Sequence, residues 1–342
     1  MPLLRDALRA ISSRLGFVVI RRRTADEILE THPWLADRLA RQRTPPSRQP
    51  TAGDQDAPSG SDPRLAELRR RYALHPATGH TVWTPENLRA ELDIAHFRAD
   101  NAYVWQTRVN TPIQYLISSL YVQANDPLGL LNRTTEDGRF GVHTYQHGDK
   151  VVSRDLLDSI MELNFLEDEI GLSRISELTM LDIGAGYGRL AHRAAESLPN
   201  LRRYLCTDAV PESTLVSELY TQARGVGDKV QVVPLDDLQR VLGETRVDVA
   251  LNIHSFSECS LASIGWWLDQ VAASRIPWLF IVPNSGDQLV SFEADETHPS
   301  FLAEITGRGY ELVTRRAKYH RSEDAQRYGL YPATYFLFRL ID

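Results

Sequence analysis

The sequence is poor in cysteine, in net positive charge and in long apolar runs, and each shortage excludes a class of protein. Its two cysteines, Cys206 and Cys259, form neither a disulfide framework nor a metal-binding spacing. No apolar stretch approaches the roughly 18 residues that a membrane-spanning helix requires. Charged side chains interrupt the apolar centre that a secretory signal would need: Arg5, Asp6, Arg9 and Arg14. We therefore expect a soluble protein of the reducing cytoplasm.

Positive charge is in deficit overall but concentrated near the first residue. The 38 basic and 45 acidic residues give a net charge of −7, which argues against a nucleic-acid partner because nucleic acids bind basic patches. Residues 1–23 carry six arginines and one aspartate, a local charge of +5, so the remainder sums to −7 − 5 = −12. Their apolar residues recur at helical spacing, which predicts a basic amphipathic helix. Such a helix would either rest on the inner face of an anionic membrane or pack against this protein or a second copy.

Composition divides the chain into four parts. Residues 1–43 are the basic N-terminal segment, and residues 44–63 are a Pro-, Gly- and Ser-rich linker that can bury too little apolar surface to fold. Residues 64–150 are aromatic-rich and mainly helical as far as about residue 131, and we expect them to cap the substrate. Residues 151–342 then form a cofactor-binding domain.

A polar loop is predicted over residues 132–150. It carries His143, Tyr145 and His147 between glycines, and loops of this kind often bind substrates. The next segment, residues 153–172, has the apolar spacing of a helix.

The remaining sequence alternates between short apolar runs and helical segments. Five predicted strands cover residues 178–184, 202–209, 229–238, 247–253 and 277–284. Segments 309–320 and 333–342 follow as an antiparallel pair. Alternating units of this kind build a doubly wound sheet that binds ligands at the carboxyl ends of its strands. The terminal hairpin predicts an α/β fold with a Rossmann-like seven-stranded methyltransferase sheet, helices on both faces, and a mainly helical region before it.

The first strand of this part ends in a turn of three glycines: Gly184, Gly186 and Gly188. A dinucleotide site requires G-x-G-x-x-G, and Arg189 stands where its third glycine would be. Asp182 is also unusual, since the equivalent position of a dinucleotide site is apolar. An acid there suits a ligand with a positive ammonium group, such as S-adenosylmethionine. We therefore predict S-adenosylmethionine as the cofactor, bound by Asp182 and by the turn with its Ala185.

Acids also end the next two strands. Asp208 follows the second strand, and its two carboxylate oxygens can accept hydrogen bonds from both ribose hydroxyls. Asp236 and Asp237 follow the third strand, where one of them could accept from the adenine amino group. Acids in register with three successive strands predict one continuous cofactor site.

The fourth strand ends in "NIHSFSEC", residues 252–259. It lacks the prolines of the turn that amino-group methylases carry there. Together with "LDIGAGYGRLA", this segment resembles the family of sugar O-methyltransferases found in bacterial glycan-building pathways. The family pattern Asn-x-x-Ser-x-x-Glu falls on Asn252, Ser255 and Glu258, and the similarity spans roughly residues 135–342. Two positions depart from it, because the family usually has Glu at Asp182 and Met at Cys259.

The resemblance implies a sugar or glycan hydroxyl as the methyl acceptor. Such a hydroxyl must lose its proton during transfer, and a positioned general base contributes typically about 10²–10⁴-fold. His254 is our candidate base, because its ordinary pKa lies close to working pH. Glu258 would face it if the turn is helical, and could orient it or hold a sugar hydroxyl. His143, His147 and Glu258 remain alternative bases.

The other site predictions follow from the same segments. We assign Asn252 to the cofactor, and four residues to the sugar hydroxyls: Tyr145, His147, Ser255 and Asn284. A divalent metal is a less favoured alternative, because no tight acidic cluster is visible. Two other functions stay open: methylation of a polyketide or phenol, and a catalytically silent subunit that binds the cofactor for a partner enzyme.

Overall fold

The computed structural model describes residues 62–79, 81–84, 87–88, 93–99, 103, 110–284 and 286–341. The predicted basic segment 1–43, with its membrane or self-association contact, and the linker as far as residue 61 lie outside the described residues.

Among its described residues, the region before the large sheet contains short helices and one small ribbon. Its helices are α1 (Pro63–Tyr72), α2 (Pro112–Ala124) and α3 (Leu130–Arg133). Strands β1 (Tyr145–His147) and β2 (Lys150–Val152) pair antiparallel. The sequence predicted a loop over residues 132–150, and the structure corrects this, because the β1–β2 ribbon packs its alternate side chains against buried neighbours.

The seven strands of the large sheet follow in chain order: β3 (Leu178–Ile183), β4 (Leu201–Thr207), β5 (Val230–Val232), β6 (Val249–Ile253), β7 (Trp278–Val282), β8 (Tyr310–Ala317) and β9 (Thr334–Leu340). Their spatial order is β5-β4-β3-β6-β7-β9-β8. Strands β3 to β7 are parallel, whereas β9 runs antiparallel between β7 and β8. The predicted Rossmann-like methyltransferase sheet is thereby confirmed.

Helices cover both faces of this sheet. They are α4 (Arg154–Ile170), α5 (Arg189–Ser197), α6 (Pro211–Arg224), α7 (Leu238–Glu244), α8 (Leu261–Ala273), α9 (Leu302–Thr306) and α10 (Glu323–Tyr328). Because all six residues of β3 are buried, its apolar side chains supply both core layers. Met180 packs in the layer of α2, α4 and α5, while Leu181 packs in the layer of α1, α7 and α8.

Helix α4 shows how the local sequence fixes these elements. The Ser153 hydroxyl accepts a hydrogen bond from the Leu156 N–H and caps the first turn. Gly171 ends the helix in the left-handed conformation, at φ 63°. Its bounds agree closely with the predicted segment 153–172. Within the described ranges, no helix combines the length and the apolar character needed to cross a membrane.

Candidate active site

A cavity of about 950 Å³ opens at the carboxyl ends of β3, β4 and β6. One end is formed by the glycine turn and the acids that follow β3 and β4, and the other end by the turn after β6. Helix α1 covers part of it through Leu65, Arg69 and Tyr72. Because parallel strands converge at this edge, residues far apart in sequence meet here.

All three glycines of the turn adopt positive φ angles, which other residues rarely do. Gly184 is the most constrained, because a Cβ there would lie 2.1 Å from the Ser255 Oγ. Gly186 and Ala185 line the cavity, whereas a Cβ on Gly188 would face Ser217 of α6 at 3.0 Å. The turn therefore exposes backbone at Gly184 to Gly186 and uses Gly188 for packing.

Asp182 lies at the floor of the cavity, near the end of β3. Its carboxylate accepts a hydrogen bond from the Tyr204 hydroxyl at 2.9 Å. Burial raises the pKa of Asp182 to about 7, so the group is poised between its neutral and charged forms.

Asp208 stands beside the glycine turn, as the sequence predicts. One carboxylate oxygen accepts from the Gly186 N–H at 3.0 Å and the other from the Val210 N–H at 2.8 Å. These bonds oppose burial, which nevertheless raises the pKa of Asp208 to about 6. Each oxygen keeps one further lone pair for a ligand hydroxyl.

Asp236 and Asp237 are not brought into the cavity. The guanidinium of Arg71 on α1 binds both carboxylates, at 2.7 Å and 3.2 Å. The neighbouring Leu235 N–H donates to the Tyr72 hydroxyl at 2.8 Å. Helix α1 thus occupies the groups that the sequence assigned to adenine, which corrects the expected placement of the two acids.

Asn252 also differs from its predicted role. It is fully buried in β6, where its amide donates to the Ile183 carbonyl and the Ser255 hydroxyl and accepts from the Phe256 N–H. The side chain therefore ties the turn after β6 to the end of β3 and does not reach the cavity. Ser255, which it holds, does line the cavity.

His254 lines the cavity at the end of β6, with a backbone φ of 72°. Its ring meets the Tyr331 ring edge-on at 5.0 Å, and its Nδ1 has no hydrogen-bond partner among the described residues. Burial, followed by the charge of Arg154, lowers the pKa of His254 to about 3. The imidazole is therefore neutral near pH 7.

Glu258 faces the cavity but does not face His254. Residues 255–258 form a 3₁₀ turn, and its tighter rotation separates positions four apart. The Glu258 carboxylate instead accepts from Trp83 Nε1 at 2.6 Å and from Asn284 Nδ2 at 2.7 Å. Burial raises the pKa of Glu258 to about 7.

The remaining predicted substrate residues divide into two groups. Asn284 is exposed beside the cavity and touches Glu258. Tyr145 and His147 lie in the β1–β2 ribbon, where Tyr145 stacks on Tyr115 of α2 and His147 contacts Gln123 at 3.0 Å. Because α2 holds the ribbon, these two side chains are not brought to the cavity, which corrects their assignment.

Sequence reasoning missed a charged row on α4. Arg154 and Asp158 line the cavity, and Glu162 follows one turn later and binds Arg189 through two bonds, at 2.9 Å and 3.0 Å. Lys318 donates to Asp158 at 2.6 Å. The spacing of residues 154, 158 and 162 was the available signal, since charges four apart share one face of a helix.

It also missed the aromatic wall of the cavity. Tyr72, Trp83 and Tyr103 come from the region before the sheet, and the Tyr103 hydroxyl bonds to the Ser213 hydroxyl at 3.1 Å. Nearby, Arg69 binds the buried carboxylate of Glu212 at 2.6 Å. The sequence analysis expected this aromatic-rich region to cap the substrate, but it did not single out these three side chains as the ones that line the cavity.

Among the residues that the structure describes, no three or more His, Cys, Asp or Glu side chains group closely enough to hold a metal ion.

Comparisons with known proteins give fold likenesses at low identity. No protein-family model and no curated protein matches the chain. A methyltransferase of Aquifex aeolicus that depends on S-adenosylmethionine is 16% identical, with a TM-score of 0.38, covering 65% of this chain and 98% of its own. The mitomycin 7-O-methyltransferase MmcR is 18% identical, with a TM-score of 0.37, covering 54% and 57%. The cyclase SpnF is 15% identical, with a TM-score of 0.40, covering 68% and 97%. Such weak likenesses carry no argument about the reaction, and the names of the three proteins describe different reactions.

Proposed function

We propose that the protein is an S-adenosylmethionine-dependent O-methyltransferase that acts on a sugar or glycan hydroxyl. One observation carries the proposal: a single cavity joins the glycine turn and its acids to the polar turn that holds His254 and Glu258. Residues suited to hold a cofactor and residues suited to accept a proton therefore line one cavity, as group transfer between two substrates requires.

The residues present fit S-adenosylmethionine. Backbone at Gly184 and Gly186 approaches the cavity where a Cβ would collide with Ser255 or lie 3.2 Å from the Tyr103 ring. Asp208 can accept the ribose hydroxyls, and Asp182 can pair with a positive group. When bound, the cofactor supplies a methyl group on a positive sulfonium.

Glu258 takes the acceptor proton in this proposal, and His254 positions the hydroxyl. A base works best when its pKa lies near the operating pH, which favours Glu258 at about 7 over His254 at about 3. The neutral imidazole of His254 can still donate or accept a hydrogen bond at the acceptor oxygen. The roles differ from the sequence prediction, in which His254 was the base.

A sugar acceptor is favoured by the lining of the polar end. Glu258, Arg154 and Asp158 line this end and offer fixed donors and acceptors for neighbouring hydroxyls, and Trp83 offers an apolar ring beside them. Asn284 lies next to the cavity and holds Glu258. The family resemblance of residues 252–258 points to the same class of acceptor.

The decisive experiment uses S-adenosylmethionine labelled on its methyl group. The protein is incubated with it and with polysaccharide, glycolipid, nucleotide-sugar, protein and RNA fractions of an extract from its source cells. We expect label in a glycan or sugar fraction, and we expect Glu258→Gln to reduce the rate at least about 100-fold. His254→Gln should reduce it less, since the base remains.

The other outcomes separate the alternatives. Label in the protein or RNA fraction, or in a small aromatic product, would show that the methyl acceptor is not a sugar. The assignment of S-adenosylmethionine as the cofactor would still stand. Cofactor binding by calorimetry with no label in any fraction would favour a silent subunit. Absence of cofactor binding would refute the proposal altogether.

A further inference from the structure

Tyr331 lies outside the predicted site, in the loop between α10 and β9. Its backbone adopts a φ of 41°, in the left-handed region that a residue with a bulky side chain rarely occupies. The Lys318 ammonium holds this loop, since it donates to the carbonyls of Leu330 and Tyr331 at 3.0 Å and 3.1 Å. It also donates to Asp158, so the loop is fixed to α4 beside the cavity.

The Tyr331 ring contacts two cavity residues. The imidazole of His254 meets it edge-on, with ring centres 5.0 Å apart and an angle of 88°. The guanidinium of Arg154 lies over the ring, 4.4 Å from its centre. The ring therefore contacts both basic side chains and covers part of the His254 imidazole.

The Tyr331 hydroxyl reaches the second proton-accepting group through Asn284. Its shorter bond is to Asn284 Oδ1 at 3.0 Å, and a longer one runs to the Asn284 backbone carbonyl at 3.3 Å, while Asn284 Nδ2 donates to Glu258 at 2.7 Å. A hydroxyl donor on the oxygen side fixes which way the amide points, because the two ends of an amide differ in their hydrogen-bonding roles. The amide N–H₂ is thereby directed at Glu258.

We infer that Tyr331 is a positioning residue that sets the environments of both His254 and Glu258, its ring acting on the first and its hydroxyl on the second. The inference rests on the proposed function and deepens it. The loop between α10 and β9 thereby becomes part of the cavity end that holds His254 and Glu258, which we call the acceptor end. Tyr331 binds neither the glycine turn nor Asp208.

Other charged groups face these two residues and must be kept constant in a test. Around His254 they are Arg154 and Asp158 from α4, Arg189 from α5 and Lys318 after β8. Around Glu258 they are Asp208 from the end of β4 and the neighbouring Cys259. Substitutions at Tyr331 remove none of these charged groups, and Tyr331→Phe also keeps the ring that the Arg154 guanidinium covers.

The test measures each pKa directly by NMR, with carbon-13 in the histidine ring or the glutamate carboxyl. His254→Gln and Glu258→Gln assign the two signals. Tyr331→Leu removes the ring, and Tyr331→Phe removes only the hydroxyl. Tyr335→Phe is the matched control, because Tyr335 is buried on the adjoining strand and its hydroxyl has no hydrogen-bond partner among the described residues.

The two variants should act on different groups. Tyr331→Leu should raise the pKa of His254 by roughly two units, because water then reaches the ring. Tyr331→Phe should leave His254 unchanged and raise the pKa of Glu258 by up to about one unit, because the amide no longer favours its charged form. Tyr335→Phe should change neither value.

The inference is overturned if the pKa of Glu258 is the same in Tyr331→Phe as in Tyr335→Phe. It is also overturned if the pKa of His254 stays low in Tyr331→Leu. Thermal melting confirms that each variant is folded before it is compared. These measurements need no methyl transfer, so an inactive wild-type protein would refute the proposed function without deciding on Tyr331. Conversely, label transfer to a glycan with unchanged NMR titrations would refute the inference alone.

Discussion

At the scale of single residues, Gly184 is the tightest point of the site. Its backbone has a positive φ, which the reversal of the chain requires, and it lies against Ser255 in the segment after β6. Both features exclude a side chain at this position. The glycine is therefore required for two independent reasons, one conformational and one steric.

Substitution at two glycines separates those reasons. Gly225→Ala, at φ 66° with nothing within 4 Å of the added Cβ, should cost about 1 kcal/mol from backbone strain alone. Gly184→Ala, at φ 71°, should cost about 2–4 kcal/mol because the collision with Ser255 adds to the strain. Urea unfolding measures both losses, and equal losses would show that the turn relaxes freely.

Individual residues also show how far the sequence predicted the site. Gly184, Asp182 and Asp208 line one cavity because strand ends of a parallel sheet converge whatever else the chain does. Asp236 was misplaced because Arg71, its partner, lies 165 residues away in sequence. Tyr331 was missed because no local pattern connects it to His254.

At the scale of elements, helix α1 determines what the cofactor end of the cavity exposes. Its Arg71 binds Asp236 and Asp237, and its Tyr72 accepts from the Leu235 N–H. If those acids are to meet an adenine ring, this contact must open, and the energy of opening reduces the apparent affinity.

Removing the arginine tests this competition. If the two acids take part in cofactor binding once α1 opens, Arg71→Ala should tighten binding of S-adenosylhomocysteine roughly 3–10-fold, because the acids no longer have to be released from α1. Arg70→Ala is the control, since Arg70 on the same helix pairs with the exposed Glu67. Isothermal calorimetry gives both dissociation constants. Unchanged or weaker binding in Arg71→Ala would mean that the two acids serve only to anchor the helix.

The order of the elements was accessible from sequence, whereas their contacts were not. Alternating apolar and helical segments predicted β3 to β9 in order, because that periodicity depends only on neighbouring residues. The β1–β2 ribbon was missed because its polar, glycine-flanked sequence resembles a loop, and only packing on α2 makes it a ribbon.

At the scale of the whole molecule, the cavity couples folding to pH. Burial raises the pKa of Asp182, Asp208 and Glu258 to about 7, about 6 and about 7. A raised acid pKa means that the folded state binds more protons, so this stability is present at low pH and is lost as pH rises through those values. The pKa values of His254 and His192 fall to about 3 and about 2. Below their unfolded value of about 6.5, these two histidines therefore make the folded state less stable as pH falls.

Between pH 6.5 and 8 the acids therefore dominate. We expect the free energy of unfolding to fall by roughly 1–2 kcal/mol across this interval, since about one proton is lost from the folded state. Asp182→Asn should make the decline shallower, because one of the titrating groups is gone. Differential scanning calorimetry at a series of pH values measures this dependence. A melting temperature that rises from pH 6.5 to 8 would contradict the assignment.

The position of β9 has a consequence for how the protein is made. Because β9 lies between β7 and β8, strand β8 cannot join the sheet until residues 334–340 have left the ribosome. The loop that carries Tyr331 and its contacts to Lys318 precedes β9 directly and must wait with it. The glycine turn can fold during synthesis. The cavity end that contains His254, Glu258 and Tyr331 can be completed only after the last strand has been translated.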